Sequence, residues 1–396
     1  MELRLSNLAK TYPASGIRKM FDLAAGYDDV IALTLGEPNF ETPAYIKEAA
    51  KKALDENYTH YAPNAGLPVL REAIAKRYQK SHWAGYKAEN VIVTVGALEG
   101  LTLGMLALLN PGDEILVPDP GFANYYGQAK IVGAVPVPVP AHEENGFNMT
   151  AADIEKCITP KTKAIMITNP GNPTGTCLTE AQMKMLLDVA VAHDLYLVAD
   201  EVYREFTYDG EPLHSFGKFD YGQENLILID SVSKRFSACG ARIGCLISKN
   251  RELMNHAMKY CQARLSVATL DQIASAALYT VGPEYFAAVR DEYKKRRDTL
   301  CRKLGEIPGV VFDVPGGAFY VMAALPVDDA DKFQQWLLEE FEDNGDTVMF
   351  APGEPFYATP GKGKNEVRIA YVLKQADLER AMDLLAKGIE AYNKRS

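Results

Sequence analysis

The 396-residue sequence lacks several features that mark particular classes of protein. Its six cysteines form no CxxC pair and have no histidine beside them at metal-ligand spacing, so neither a metal site nor a disulfide scaffold is expected. No run of about 18 apolar residues occurs, which argues against a transmembrane helix. The N-terminal segment has no uninterrupted apolar stretch of the kind found in secretory signals. We therefore expect a cytoplasmic protein with reduced cysteines.

Positively charged residues are fewer than negatively charged ones. The 42 Lys and Arg residues against 52 Asp and Glu give a formal net charge of −10, which argues against nucleic-acid binding. Small anionic substrates stay possible, because a single local arginine can bind one. The six histidines show no paired pattern, and the chain has no internal repeat or low-complexity segment.

Strand-like and helical patterns alternate from about residue 46. Short runs rich in Ile, Val and Leu, such as "NVIVTVG" and "KAIMITNP", are separated by helical stretches such as "AYIKEAAKKALDE". This alternation predicts an α/β fold with a mostly parallel central sheet flanked by helices. After about residue 284, a long amphipathic helix and mixed strands predict a smaller α+β domain. We expect a large domain over 46–283, and a small domain made of 1–45 and 284–396.

Polar residues follow several of the predicted strands. These residues are Asn172 in "TNPGNPTG", Asp200 and Tyr203 in "VADEVY", and Ser231, Ser233 and Lys234 in "DSVSK". The strand-to-helix turn "TVGALEG" adds the backbone of Gly96, Ala97 and Leu98. Because parallel sheets bind ligands at the carboxyl ends of their strands, we expect these groups to gather along one edge.

Together these groups meet the requirements of the cofactor pyridoxal 5'-phosphate (PLP). Its aldehyde needs a lysine amine as Schiff-base partner, and its ring nitrogen needs a buried carboxylate. Its phosphate suits a helix N-terminus, hydroxyl groups and a bidentate arginine such as Arg242. Its phenolic oxygen needs hydrogen-bond donors. The sequence therefore predicts a PLP site.

The segment "SVSKRFSACGARIG", residues 231–244, stands in the same chain as "NPGNPTG" and "ADEVY". In their chain order, with "NPGNPTG" first and "ADEVY" second, the three segments resemble the class I/II aminotransferases of the fold-type I PLP-dependent family, and the resemblance runs essentially end to end. It implies that Lys234 is the Schiff-base lysine, that Asp200 faces the ring nitrogen, and that Asn172 and Tyr203 contact the phenolic oxygen. It also implies a phosphate site made by Ser231, Arg242 and the backbone of Ala97 and Leu98.

Four further segments are similar to the family and imply further roles. "PDPGFANY" implies that the ring of Phe122 stacks on the cofactor; many relatives have a tryptophan there, so its indole hydrogen bond is absent. "EVRIAY" implies that Arg368 binds the substrate α-carboxylate as a planar fork. "LGEPNFETP" implies that the N–H of Gly36 contacts the same carboxylate, and "HYAPNAGLPVLREAI" implies that Tyr61 reaches the phosphate of a neighbouring subunit. That last role requires a homodimer.

The resemblance implies a ping-pong aminotransferase that moves an amino group between an L-amino acid and a 2-oxo acid. Aspartate with 2-oxoglutarate is the first expectation, and aromatic or alanine-type specificity comes next. Arg264 precedes a segment that resembles the stretch contributing a side-chain-binding arginine across the dimer interface, but at a different offset, so an ordinary helix-surface arginine is the alternative.

Two other classes of function stay open. A PLP-dependent carbon–sulfur lyase would share the fold and the lysine. A PLP-binding regulator is disfavoured, since only about 30 residues precede "IALTLGEP" and a DNA-binding domain needs more.

Overall fold

The structure is a computed structural model, which describes residues 5–12, 24, 30–79, 85–210 and 214–395. The α-helices of these ranges are α1 Asn7–Thr11, α2 Ala44–Asp55, α3 Pro68–Gln79, α4 Gly96–Leu108, α5 Ala123–Ile131, α6 Ala151–Cys157, α7 Glu180–Ala192, α8 Val232–Arg235, α9 Arg251–Arg264, α10 Thr269–Leu278, α11 Pro283–Gly305, α12 Ala330–Glu339 and α13 Gln375–Asn393.

The strands of the same ranges are β1 Val30–Ala32, β2 Val91–Val95, β3 Glu114–Asp119, β4 Val135–Pro140, β5 Thr162–Thr168, β6 Tyr196–Asp200, β7 Leu226–Ser231, β8 Ile243–Ile247, β9 Val311–Phe312, β10 Tyr320–Ala324, β11 Thr347–Met349, β12 Ala351–Pro352 and β13 Glu366–Ala370.

Seven strands form the large sheet, in the order β2-β8-β7-β6-β5-β3-β4. Strands β3 to β7 run parallel, while β8 is antiparallel to both of its neighbours. Strand β4 is an edge strand, where its three prolines cost little because only one side of the strand is paired. The α/β class and the mostly parallel sheet predicted from the sequence are confirmed.

Helices cover both faces of this sheet, because its strands carry apolar residues on both sides. One face packs with α3 and α7 into a cluster around Leu186 and Phe216. The other packs with α4, α5 and α9 around Leu101 and Tyr125. Burying both faces leaves only the strand ends open to a ligand, which places any site at the carboxyl edge.

A separate four-stranded antiparallel sheet has the order β12-β13-β10-β9. It packs with α11, α12 and α13 into its own apolar cluster around Phe319 and Phe333. Strand β1 pairs with β11 in parallel, so residues 30–32 join the C-terminal part of the chain. The domain boundaries at residues 46 and 284 stay a prediction. No helix in the described ranges is both long and apolar enough to cross a membrane.

Candidate active site

Lys234 lies on the short helix α8, directly after strand β7. Ser231 ends the strand and caps the helix, since its Oγ accepts a hydrogen bond from the N–H of Ser233 at 3.0 Å. The Nζ of Lys234 donates to the carbonyl oxygen of Gly36 at 2.6 Å and lies 3.8 Å from Sγ of Cys239. The lysine is half-buried, so its amine is accessible yet held by a residue nearly 200 positions away.

The N-terminus of helix α4, strand β8 and Arg242 meet in a corner. Gly96 opens the helix with φ +71°, and a Cβ on it would collide with the guanidinium of Arg242. A Cβ on Gly244, in the adjacent strand β8, would lie 2.6 Å from the backbone nitrogen of Ala97. These two glycines therefore let the helix N-terminus, β8 and Arg242 meet. The first N–H groups of a helix have no intrahelical acceptor, so this corner suits a phosphate.

Three of the predicted phosphate ligands differ in how far they are engaged. Arg242 is exposed, and its Nη1 donates to the carbonyl of Cys239 at 2.9 Å. Leu98 is 36% exposed at the first turn of α4. The Oγ of Ser231, by contrast, lies 2.9 Å from the carbonyl oxygen of Ile243 and 2.8 Å from Oγ of Ser233. The two serine hydroxyls thus bond within the chain.

Asp200 ends strand β6 and is buried. Its carboxylate accepts from the hydroxyl of Tyr125 at 2.8 Å and from the N–H of Val202 at 3.2 Å. Burial raises its pKa to about 6, against the hydrogen bonds that favour the ionised form. Within the described residues no Lys, Arg or His pairs with this carboxylate, so it is a buried acid that lacks a cation.

Phe122 directly precedes helix α5. The ring is half-buried and packs edge-on against Tyr125, with the ring centroids 5.3 Å apart. Since Tyr125 in turn donates to Asp200, the helix start fixes the aromatic ring and the acid relative to each other.

Arg368 is a buried arginine on strand β13. Its Nη1 donates to Oδ1 of Asn172 at 3.0 Å and its Nη2 to the carbonyl oxygen of Thr34 at 2.5 Å. Its Nε is buried without a hydrogen-bond partner, and burial lowers the pKa of the guanidinium. No carboxylate of the described chain neutralises it. A buried guanidinium in this state is suited to an external carboxylate.

Tyr203 and Asn172 link the two halves of the site. The Nδ2 of Asn172 lies 3.5 Å from Oη of Tyr203, and Oη of Tyr203 lies 2.9 Å from Oη of Tyr320. Burial raises the pKa of Tyr203 well above its ordinary value, so its hydroxyl stays protonated. A Cβ on Gly36 would overlap the hydroxyl of Tyr320. One continuous set of contacts therefore runs from Lys234 through Gly36 to Arg368.

Two predicted residues have no contact with the other candidates. Tyr61 is 85% exposed and contacts none of the other candidates. Arg264, at the end of α9, pairs with Glu99 on α4 at 3.2 Å and donates to the carbonyl of Val93 at 3.4 Å. Glu99 therefore balances the charge of Arg264, which favours the structural role, while Nε and Nη1 of Arg264 are buried without a hydrogen-bond partner. The substrate-binding role of Arg264 stays a prediction without support from these contacts.

The sequence patterns missed three residues that the structure brings into the site. Tyr125 follows Phe122 by three positions, so a helical reading of "GFANYYG" could have placed both on one face. Tyr320 stands in the apolar strand-like pattern "GGAFYVMAAL", which gives its hydroxyl no role, and Thr34 acts through its backbone carbonyl, which no residue pattern reveals.

Known proteins resemble this chain over nearly its whole length. The sequence model of the family "Aminotransferase class I and II" matches residues 28–385. An aspartate aminotransferase of Pyrococcus horikoshii is 37% identical, with 95% of each chain covered. An aromatic-amino-acid aminotransferase of Thermococcus litoralis is 35% identical, covering 97% of this chain and 98% of that protein. The solved structure of an aspartate aminotransferase mutant from Thermus thermophilus superimposes with a TM-score of 0.89 at 31% identity, covering 98% of this chain and 100% of that one.

These matches cover both sheets and every residue of the site. The fold, the extent of the match and the identity agree, and so this chain belongs to the class I and II aminotransferases and is an aminotransferase.

Proposed function

We propose that this aminotransferase binds PLP at Lys234 and uses L-aspartate with 2-oxoglutarate as its substrates. One observation carries the proposal. The candidate site holds a buried carboxylate without a cation, Asp200, and a buried guanidinium without a carboxylate, Arg368. Uncompensated buried charges of this kind are expensive unless a ligand supplies the partner.

The residues present fit PLP. Asp200 would meet the protonated ring nitrogen, and Phe122 would offer its ring face. The corner made by the N-terminus of α4 and Arg242 would take the phosphate, with no room for a Cβ on Gly96 or Gly244. When bound, PLP carries the amino group and draws electrons from the substrate Cα into its ring.

The chain's own residues then position the substrate and move its proton. Arg368 would bind the α-carboxylate through a planar two-point contact, helped by the N–H of Gly36. Lys234 Nζ, now held 2.6 Å from the Gly36 carbonyl, would act as the base that removes the α-proton and returns it on the cofactor side. Asn172 and Tyr203 would donate to the phenolic oxygen. Since Asn172 also contacts Arg368, the substrate and cofactor subsites share one side chain.

Aspartate is favoured as the donor because relatives from Pyrococcus horikoshii, Pyrococcus abyssi and Geobacillus stearothermophilus are named aspartate aminotransferases. The ion pair between Arg264 and Glu99 favours an aromatic donor instead, since it removes one candidate cation for a second carboxylate. The relative from Thermococcus litoralis, named for aromatic amino acids, agrees with that alternative.

We also propose a cytoplasmic homodimer with its sites at the interface. Tyr61 is a large side chain left 85% exposed, as expected if it inserts into a second copy near that copy's phosphate. The six cysteines of the described chain are all free, which agrees with a reducing compartment.

The test is the change in cofactor absorbance when an amino acid is added without an oxo acid. We expect wild-type protein and the exposed-surface variant Lys259→Ala to respond to aspartate. When 2-oxoglutarate is then added, Lys234→Ala should show multiple turnover slower than wild type by at least about a thousandfold. Continued turnover by Lys234→Ala would refute the lysine assignment. A response to phenylalanine or tyrosine but not to aspartate would select the aromatic alternative. Release of pyruvate and ammonia from cysteine without an oxo acid would select a lyase.

A further inference from the structure

Tyr320 is the first residue of strand β10 and is 2% exposed. It pairs with Ala370 at the end of β13, two residues after Arg368. Its ring packs edge-on against that of Tyr203, with the centroids 5.5 Å apart and the planes at 84°. The side chain therefore lies between a residue proposed for the cofactor and one proposed for the substrate.

The hydroxyl of Tyr320 bonds to the hydroxyl of Tyr203 at 2.9 Å. The direction of the neighbouring bonds can be assigned. Oδ1 of Asn172 accepts from Arg368, so the amide turns its Nδ2 toward Oη of Tyr203 and donates to it. The hydroxyl of Tyr203 accepts this bond, and its single hydrogen is left to donate to another group. If that hydrogen goes to a bound cofactor, Tyr320 can only be a donor to Tyr203.

The same hydroxyl lies against the peptide that holds the lysine. It occupies the space that a side chain at residue 36 would need, and the carbonyl of Gly36 accepts from Nζ of Lys234 at 2.6 Å. Tyr320 and Gly36 are thus matched, because any larger residue at position 36 would displace the hydroxyl or the peptide.

The ring of Tyr320 also supports Arg368. The guanidinium carbon lies 4.4 Å from the centroid of Tyr320 and 4.8 Å from that of Phe356. Two cation–π contacts fix the plane of the fork that is proposed to bind the α-carboxylate.

A buried tyrosine hydroxyl usually has a hydrogen-bond partner, and that of Tyr208 donates to the backbone carbonyl of Ala318 at 2.5 Å. Tyr320 bonds instead to another hydroxyl of the site. We propose that Tyr320 is a positioning residue of the reaction, which orients the hydroxyl of Tyr203 and the plane of Arg368 together. This inference rests on the proposed function at Lys234.

Tyr320→Phe tests the hydroxyl alone, because it retains the ring beneath Arg368. Loss of a donated bond makes Tyr203 a poorer donor, so the ionised phenolic oxygen of the cofactor is less stabilised. We expect the pH midpoint of the bound cofactor's visible absorbance to rise by about half a unit, and kcat to fall about threefold to tenfold with little change in KM. Tyr320→Leu also removes the ring, and its KM for the amino acid should rise by about tenfold.

Tyr208→Phe is the matched control, since it removes a buried tyrosine hydroxyl of the same core cluster away from the site. Its absorbance midpoint should equal that of wild type even if its thermal stability falls. In a Tyr203→Phe background, adding Tyr320→Phe should shift the midpoint no further. The proposal is overturned if Tyr320→Phe leaves the absorbance midpoint unchanged. It is also overturned if Tyr320→Phe shifts the midpoint as much in the Tyr203→Phe background as it does in wild type. Failure of wild type to bind PLP would instead refute the proposed function.

Discussion

Asp200 shows how one residue can oppose folding and favour ligand binding. Burial raises its pKa from 3.8 to about 6, so the folded chain holds the acidic proton more tightly than the unfolded chain does. Below the ordinary pKa both states are protonated and Asp200 costs nothing. Between pH 3.8 and about 6 the ionisation of Asp200 increasingly lowers the free energy of unfolding, and the loss is complete above about 6.

Asp200→Asn should therefore stabilise the cofactor-free protein. At pH 8 the free energy of unfolding should rise by up to about 3 kcal/mol, and at pH 5 the gain should be about half as large. Urea unfolding at both pH values measures the difference. Asp313→Asn, on an exposed stretch, should change little at either pH. With PLP bound, the order should reverse, because the protonated ring nitrogen supplies the missing cation; a gain that does not depend on pH would contradict this explanation.

At the scale of elements, the junction of α4 and β8 depends on contact between backbones. Gly244 pairs with Thr94 in β2 and with Ser231 in β7, so it lies inside the sheet. A Cβ there would meet backbone atoms of Gly96 and Ala97, which cannot move aside as a flexible side chain can.

Gly244→Ala should push the helix N-terminus away from the sheet. We expect a loss of about 1–3 kcal/mol in the free energy of unfolding, and a larger loss of affinity for PLP than for pyridoxal, which has no phosphate. Gly104→Ala is the matched control on the same helix, because its Cβ would lie 3.6 Å from the nearest side-chain atom, an ordinary contact. That variant should be unchanged or more stable by up to about 1 kcal/mol. If the ratio of PLP affinity to pyridoxal affinity is the same in Gly244→Ala and Gly104→Ala, the junction of α4 and β8 does not bind the phosphate.

At the scale of the molecule, a buried ionic network lies behind the site. It comprises Arg77, Glu201, Arg204, Glu205, Asp230 and Arg235. Three cations balance three carboxylates. Four members directly precede or follow Asp200, Tyr203, Ser231 and Lys234 in sequence, so the network joins the backbone segments that carry the site.

Arg235→Met should be strongly destabilising. Burial alone would raise the pKa of Asp230, but Arg235 and Arg204 outweigh it and hold that pKa below its ordinary value. Removing Arg235, which lies 2.6 Å from Asp230, should cost about 3–5 kcal/mol of unfolding free energy. Arg302→Met breaks exposed pairs with Glu306 and Glu379 and should cost about 1 kcal/mol or less. Similar losses in the two variants would show that burial does not decide the effect.

The sequence predicted the strands, the fold class and the family, because apolar periodicity and short motifs are local. Lys234, Asp200 and Asn172 were also predictable as candidates, since Asp200 ends a strand and the other two follow a strand by three or four residues. The sequence could not give Tyr320, which meets Tyr203 across 117 positions, or the Thr34 carbonyl, which meets Arg368 across 334. Nor could it show that Glu99 neutralises Arg264, because that pair depends on how two helices dock.

The pairing of β1 with β11 has a consequence for biosynthesis. Thr34 and Gly36 follow β1 directly, and their carbonyls hold Arg368 and Lys234. A ribosome makes these two acceptors early and Arg368 334 residues after Thr34, so strand β1 has no partner until β11 has been synthesised. Contacts of such long sequence separation form slowly. The contacts of this segment with Arg368 are therefore completed late in biosynthesis, and a translation product that stops before β13 carries Lys234 without the arginine proposed to bind its substrate.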